Sequence, residues 1–135
     1  MRTISAIVFS DVVQRALIAS STYHVADNQP VWAVGWGAID NFGTPSEQLR
    51  HVQLWKINQS VCRSRYGPFL TANMLCAGWV GVGGRDQCQG DTGGALYHND
   101  IVIGVCSWNL SCGESDYPGV NVRVSRFSNW IQSNA

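Results

Sequence analysis

Five consecutive residues, Gly90-Asp91-Thr92-Gly93-Gly94, place a carboxylate and a hydroxyl among three glycines. Glycine tolerates left-handed backbone, so such a run can turn sharply with its N–H groups pointing one way. A turn of that kind can hold a developing oxyanion beside a nucleophilic hydroxyl, and Thr92 is the hydroxyl available. Asp86-Gln87-Cys88-Gln89 comes just before it, with a second carboxylate six residues ahead of Thr92.

A hydroxyl nucleophile needs a base to take its proton and an acid to orient that base. The chain has three histidines, and each reads as a solvated surface residue: His24 in a connector, His51 on a polar strand face, His98 in a turn. Asp11, Asp27 and Asp40 fall in connector or loop contexts and do not suit the orienting role. Thr92 also carries a methyl on its hydroxyl-bearing carbon, which restricts χ1 and crowds either a scissile carbonyl or an incoming base. Without a base, the hydroxyl is not activated at neutral pH.

The chain of 135 residues is long enough for one domain with a sizeable core. Its formal charge is zero and no basic run occurs, which argues against a nucleic-acid or anionic-membrane partner. No apolar run is long enough to span a bilayer as a helix. Eight of the nine cationic side chains are Arg, with Lys56 the exception, so the positive charge would survive alkaline conditions. Five cysteines point to disulfides and an oxidising compartment, with one thiol left over. No Cys or His spacing matches a zinc site, so neither a metal nor a cofactor is expected.

The elements that must position these residues are short apolar segments punctuated by turns, the pattern of an all-β domain. Residues 31–36 form a compact apolar run ended by Gly37. Residues 49–57 roughly alternate, with Val52 and Leu54 on one face, His51 and Gln53 on the other, and Trp55 breaking the pattern. Residues 95–97 and 101–108 flank His98-Asn99-Asp100, a hairpin turn, and residues 119–124 supply a last strand. Two helices are predicted. One covers 60–66, capped by Asn58 or Ser60, and the other runs from Ser125, with Phe127, Trp130 and Ile131 at helical spacing to pack one face on the rest of the domain.

Around Thr92 the chain resembles the trypsin-like serine proteases, whose signature there would read Gly-Asp-Ser-Gly-Gly-Pro; Thr92 stands at the serine and Ala95 at the proline. Gly35-Trp36-Gly37, Met74-Leu75-Cys76-Ala77-Gly78, Ser107-Trp108 and Tyr117-Pro118-Gly119-Val120 fall in that family's order and spacing, and the wording is similar to insect digestive trypsins. The resemblance implies the second antiparallel β-barrel of a two-barrel fold, with a short intermediate helix and a C-terminal helix. Residues 1–27 would be a remnant of the first barrel and its connector, and 28–135 the barrel and terminal helix.

The resemblance also assigns roles. Thr92 takes the nucleophile position, and the Gly90 and Thr92 N–H groups match the oxyanion hole. Asp91 matches the acid that pairs with a new N-terminal amine, and without that amine it is expected to be unpaired or the hole poorly formed. Asp86 matches the acid at the base of the pocket for Arg or Lys, and Ser107-Trp108-Asn109 the strand beside the substrate. Gly119 matches a glycine of the pocket wall. Asn109 replaces the usual glycine and is expected to narrow the pocket mouth. Cys62 is expected to pair with Cys76 and Cys88 with Cys112, leaving Cys106 as a buried thiol.

The function implied is peptide-bond hydrolysis after Arg or Lys in a protein or peptide substrate. The family's base and orienting acid belong to the first barrel, so a secreted C-terminal fragment, inactive alone and lacking its N-terminal barrel as partner, is expected. Residues 4–9 are too short an apolar run for a signal peptide, and Asp11 interrupts them. A catalytically silent homologue used as a binding module is the alternative. Asn58-Gln59-Ser60 and Asn109-Leu110-Ser111 are glycosylation triplets, and a glycan on Asn109 would block the pocket.

Overall fold

The computed structural model describes residues 3–134. Seven strands form one sheet: β1 (Leu17–Ile18), β2 (Pro30–Gly35), β3 (Arg50–Lys56), β4 (Met74–Gly78), β5 (Ala95–His98), β6 (Ile101–Trp108) and β7 (Gly119–Arg123). Six of them, β2 to β7, close into an antiparallel barrel in the order β2-β3-β4-β7-β6-β5 and back to β2. Closure leaves no free edge on these six, and β1 lies outside as a short parallel addition to β6.

Alternation sets the inside and the outside. Across β2 and β3, Val31 faces Leu54 and Ala33 faces Val52, and Val31, Leu54 and Leu96 are fully buried in the main core. Replacing Leu54 by Ala is expected to cost about 2–5 kcal/mol, the range for a buried Leu whose surroundings cannot collapse. Urea unfolding measures this directly, and a loss below 1 kcal/mol would contradict close packing there. Trp55 breaks the alternation because its outward face is covered: its ring stacks on Trp79 at 5.3 Å, and the Arg85 guanidinium lies 4.4 Å from the Trp79 ring. Lys56 is buried on the inward side, where Asp27 takes its ammonium as an ion pair. That contact, with a hydrogen bond from Asn58, holds the Asp27 carboxyl below the usual carboxylate range.

The β5–β6 hairpin turns at Asn99 and Asp100, both with positive φ (48° and 59°), as a two-residue loop that matches strand twist requires. Helix α1 (Gln59–Tyr66) starts where Asn58 accepts from the Ser60 and Val61 N–H groups, which makes Asn58 the cap rather than Ser60. Helix α2 (Ser128–Asn134) begins three residues later than predicted, after a 3-10 turn over Val124–Arg126. Of the three residues expected to seat it, Ile131 packs on the core, whereas Phe127 and Trp130 stay exposed, at 36% and 66%. Ser128 is the residue the helix buries, so its contact with the barrel is narrow. Most side chains from residue 3 to Leu17 are exposed, including Ile4, Ile7, Val8 and Val12.

Candidate active site

Both predicted disulfides are present, Cys62–Cys76 and Cys88–Cys112, with Cα separations of 6.3 and 5.3 Å. Cys106 is the free, buried cysteine, and burial pushes its thiol up to about 12, so it is neutral at ordinary pH. The second bridge ties the segment carrying Asp86 and Thr92 to the loop after β6, so one covalent link spans both sides of the site.

The glycine-rich run forms a clamped turn. The Asp91 N–H donates to the Cys88 carbonyl at 2.9 Å and the Gly94 N–H to the Asp91 carbonyl at 2.8 Å. Gly93 donates to Cys106 at 2.9 Å, and Cys106 donates back to Gly94 at 2.8 Å, which fixes the turn against β6. Gly90 and Gly93 adopt φ of +93° and +87°, which few side-chain-bearing residues tolerate. Among the described residues, no acceptor meets the N–H of Gly90 or of Thr92. Thr92 itself is exposed.

Asp91 differs from its expectation of lacking a partner. One carboxylate oxygen accepts from the Gly37 N–H at 2.8 Å, and the other from the Cys88 N–H at 2.9 Å. Backbone donors supply to the carboxylate what a cation would otherwise supply. Gly35 and Gly37 make this seat possible, because a Cβ on either would overlap the Asp91 carboxyl group. A cavity of about 210 Å³ adjoins the seat, lined in part by Gly37, Ile39, Val52, Asp86 and Asp91.

Asp86 is held by neutral donors. The Gln87 N–H lies 2.9 Å from one oxygen, and the Gly113 N–H lies 3.2 Å from the other. Burial pushes its carboxyl up to about 6, against the lowering effect of these hydrogen bonds. Gly119 closes one side: a Cβ there would come within 2.5 Å of an Asp86 oxygen. Asn109 closes another, and more deeply than a narrowed mouth. Its Nδ2 donates to the Gln87 carbonyl at 2.8 Å and reaches the second Asp86 oxygen at 3.4 Å.

Ser107 and Trp108 owe their orientation to a β-bulge. Cys106 faces Asn121 and Trp108 faces Val120, so Ser107 is the extra residue that re-aims the strand. Tyr66, at the end of α1, braces this region: its ring meets Trp108 edge-on at 4.8 Å, and its hydroxyl donates to the Pro118 carbonyl at 2.8 Å. Burial, then the Asp86 charge, pushes its phenol up to about 12 and keeps it a donor. Tyr66 and Gln87, which is 2% exposed beside Asp86, had no assigned role in the sequence reading. The position of Gln87 between Asp86 and Cys88 was the one available signal for it.

No described histidine is hydrogen-bonded to Thr92. His24 and His51 are exposed, and the His51 ring meets Trp32 edge-on at 5.2 Å. His98 departs from its expectation: it ends β5, half-buried, and its Nδ1 is 2.8 Å from the Tyr23 hydroxyl. The nitrogens that would be glycosylated are also engaged, that of Asn109 as above and that of Asn58 by Asp27 at 2.6 Å. Among the described residues, no group of three or more His, Cys, Asp or Glu could hold a metal ion.

The trypsin family model matches residues 1–131. This chain belongs to the trypsin family. It is 60% identical over 138 residues to "Trypsin, alkaline A" of Manduca sexta, and 56% identical over 138 residues to "Trypsin CFT-1" of Choristoneura fumiferana. Each alignment covers all of this chain and 54% of the relative, so the chain spans about half the length of these trypsins. Among solved structures it is similar to neuropsin, a serine protease expressed in the limbic system of mouse brain, with a TM-score of 0.89 at 27% identity. That match covers 96% of this chain and 57% of neuropsin. The closed barrel and C-terminal helix are therefore those of the trypsin-like fold.

Proposed function

We propose that this trypsin-family chain carries the nucleophile turn and the specificity pocket of a secreted endopeptidase that cleaves after Arg or Lys. The observation that carries this reading is the turn itself, clamped to Cys88 and β6 while the Gly90 and Thr92 N–H groups stay without acceptors. Two such donors beside a hydroxyl suit an oxyanion hole, which strengthens its hydrogen bonds as charge develops on the carbonyl oxygen. In this reading Thr92 is the nucleophile position and Asp86 the acid of the pocket, with Ser107 to Asn109 and Gly119 as walls. The cavity beside Asp91, with the apolar Ile39 and Val52 in its lining, suits a short N-terminal residue whose amine would join the carboxylate. Two disulfides support secretion.

Catalysis needs a base at Thr92, and the described imidazoles lie in other settings. The chain on its own is therefore expected to be inactive, and Thr92→Ser alone is expected to leave it so. Incubation with a fluorophosphonate probe and with an Arg-containing peptide tests this; labelling at residue 92, or turnover above the buffer background, would overturn it. A second reading, a silent homologue that binds rather than cleaves, is favoured by two observations. Thr92 is β-branched, and an amide stands beside Asp86. Assay of the chain together with an N-terminal barrel separates the readings, since only the enzyme turns peptide over.

A further inference from the structure

A small cavity lies between the connector and the barrel, and it shares no residue with the site around Asp86 and Thr92. It measures about 20 Å³, and the buried Ala19, Leu75 and Ile103 form its apolar side. Lys56, Arg123, His24 and Ser125 form its polar side. About 10–15 Å³ holds one water, so the space admits a single small particle and excludes sulfate, phosphate or a carboxylate.

Lys56 and Arg123 are both cations, and one carboxylate answers them. Asp27 takes the Lys56 ammonium. Arg123 has no acid, because the ion pairs among the described residues are Lys56–Asp27 and Arg65–Asp116. Its Nε and one terminal nitrogen donate to neutral oxygens, the Ala72 and Met74 carbonyls and the Gln59 side chain. The other terminal nitrogen meets no acceptor among the described residues, although a guanidinium has donors on all three nitrogens. Burial, then the Arg126 charge, lowers the Arg123 pKa, as befits a guanidinium without a counter-ion beside it. Ser125 and His24 each add a donor, since a hydroxyl can turn its proton inward and a neutral imidazole always carries one N–H. A water placed here must find acceptors for its own two protons, and neither cation can be one. An anion needs donors alone, which is what these side chains supply.

We propose that this cavity is a binding site for a monoatomic anion, chloride, held by Arg123 and Ser125 with Lys56 and His24 around it. Arg123 ends β7 and Ser125 lies in the turn after it, Lys56 ends β3, and Ala19 and His24 belong to the connector. The anion therefore fastens the connector to the barrel, and it supplies the counter-charge that Arg123 lacks. The unfolded chain has no such site, so chloride stabilises the folded state by mass action.

Thermal unfolding of the wild-type chain, with chloride replacing gluconate at fixed ionic strength, reads the site. Gluconate is too large for the cavity, so screening stays the same while the occupant changes. The midpoint is expected to rise with the logarithm of chloride concentration, and bromide to act in the same way. A midpoint indifferent to the replacement overturns the site. Ser125→Asp brings a carboxylate to the cavity, and is expected to raise the midpoint in gluconate and to remove the response to chloride. Arg123→Gln is expected to weaken chloride at least about tenfold, through loss of a charged hydrogen-bond donor. A response that both variants keep in full is a general salt effect and refutes the site. Should the variants not fold, bromide-soaked crystals of the wild-type chain decide. An anomalous peak within hydrogen-bond reach of Arg123 and Ser125 supports the site, and water alone there refutes it even where the midpoint moves with chloride.

Discussion

Replacing Asp86 by Asn is expected to stabilise the protein at pH 8 and to leave it unchanged, or slightly weaker, at pH 4. Burial raises the folded-state carboxyl from 3.8 to about 6. The folded chain therefore holds this proton more tightly than the unfolded chain does. Below pH 4 both states are protonated and the group has no net effect on stability. As pH rises from 4 to 6 the unfolded chain ionises first, and stability falls; above 6 the loss is complete, on the order of 3 kcal/mol. Asn avoids that loss but forfeits an acceptor, because its amide nitrogen is a donor only and can accept from neither Gly113 nor Asn109. The net gain at pH 8 should be about 1–2 kcal/mol. Urea denaturation of the two proteins at unit intervals from pH 4 to 8 measures it. A stability difference that does not change with pH would show that Asp86 ionises as freely as a surface carboxylate.

Much of this fold was legible because local rules and tertiary destiny agree. The Asn99-Asp100 turn could be read from residues that tolerate positive φ, and α1 from Asn58, whose side chain caps it. β4 was seen as a motif but not as a strand: Leu75 to Gly78 are all buried, so its sequence carries no alternation to detect. Lys56 and His98 were opaque for a different reason. Their partners, Asp27 and Tyr23, lie 29 and 75 residues away, and nothing near either residue announces them. The site divides the same way. Spacing and resemblance located Asp86, Asp91, Thr92 and the cysteines, but which donors satisfy each carboxylate depends on loops that only the closed barrel brings together.

Gly35 shows how such a loop contact can be tested, and its replacement by Ala is expected to cost about 2–4 kcal/mol. Its φ is not in the left-handed region, so Ala brings no backbone strain of its own there. The cost arises because the new Cβ would overlap the Asp91 carboxyl, which must leave its seat. The carboxylate then loses the Gly37 and Cys88 N–H groups, and hydrogen bonds to a charged partner contribute about 1.5–3 kcal/mol each. Gly81 is the informative contrast. Nothing lies within 4 Å of a Cβ there, but its φ is +82°, so Ala should cost only about 1–2 kcal/mol from backbone strain. The Gly35 cost depends on Asp91 and the Gly81 cost does not. In an Asp91→Ala background, Gly35→Ala should lose most of its effect, a coupling of about 2 kcal/mol, while Gly81→Ala keeps its own. Urea unfolding of the wild type, the single variants and the two doubles completes the cycles. Additive costs for Gly35→Ala and Asp91→Ala would mean that the glycine does not serve the carboxylate. Coupling would give Gly35-Trp36-Gly37 a physical purpose: it leaves room for the one acid that separates the Gly90 and Thr92 N–H groups, and so holds both in place.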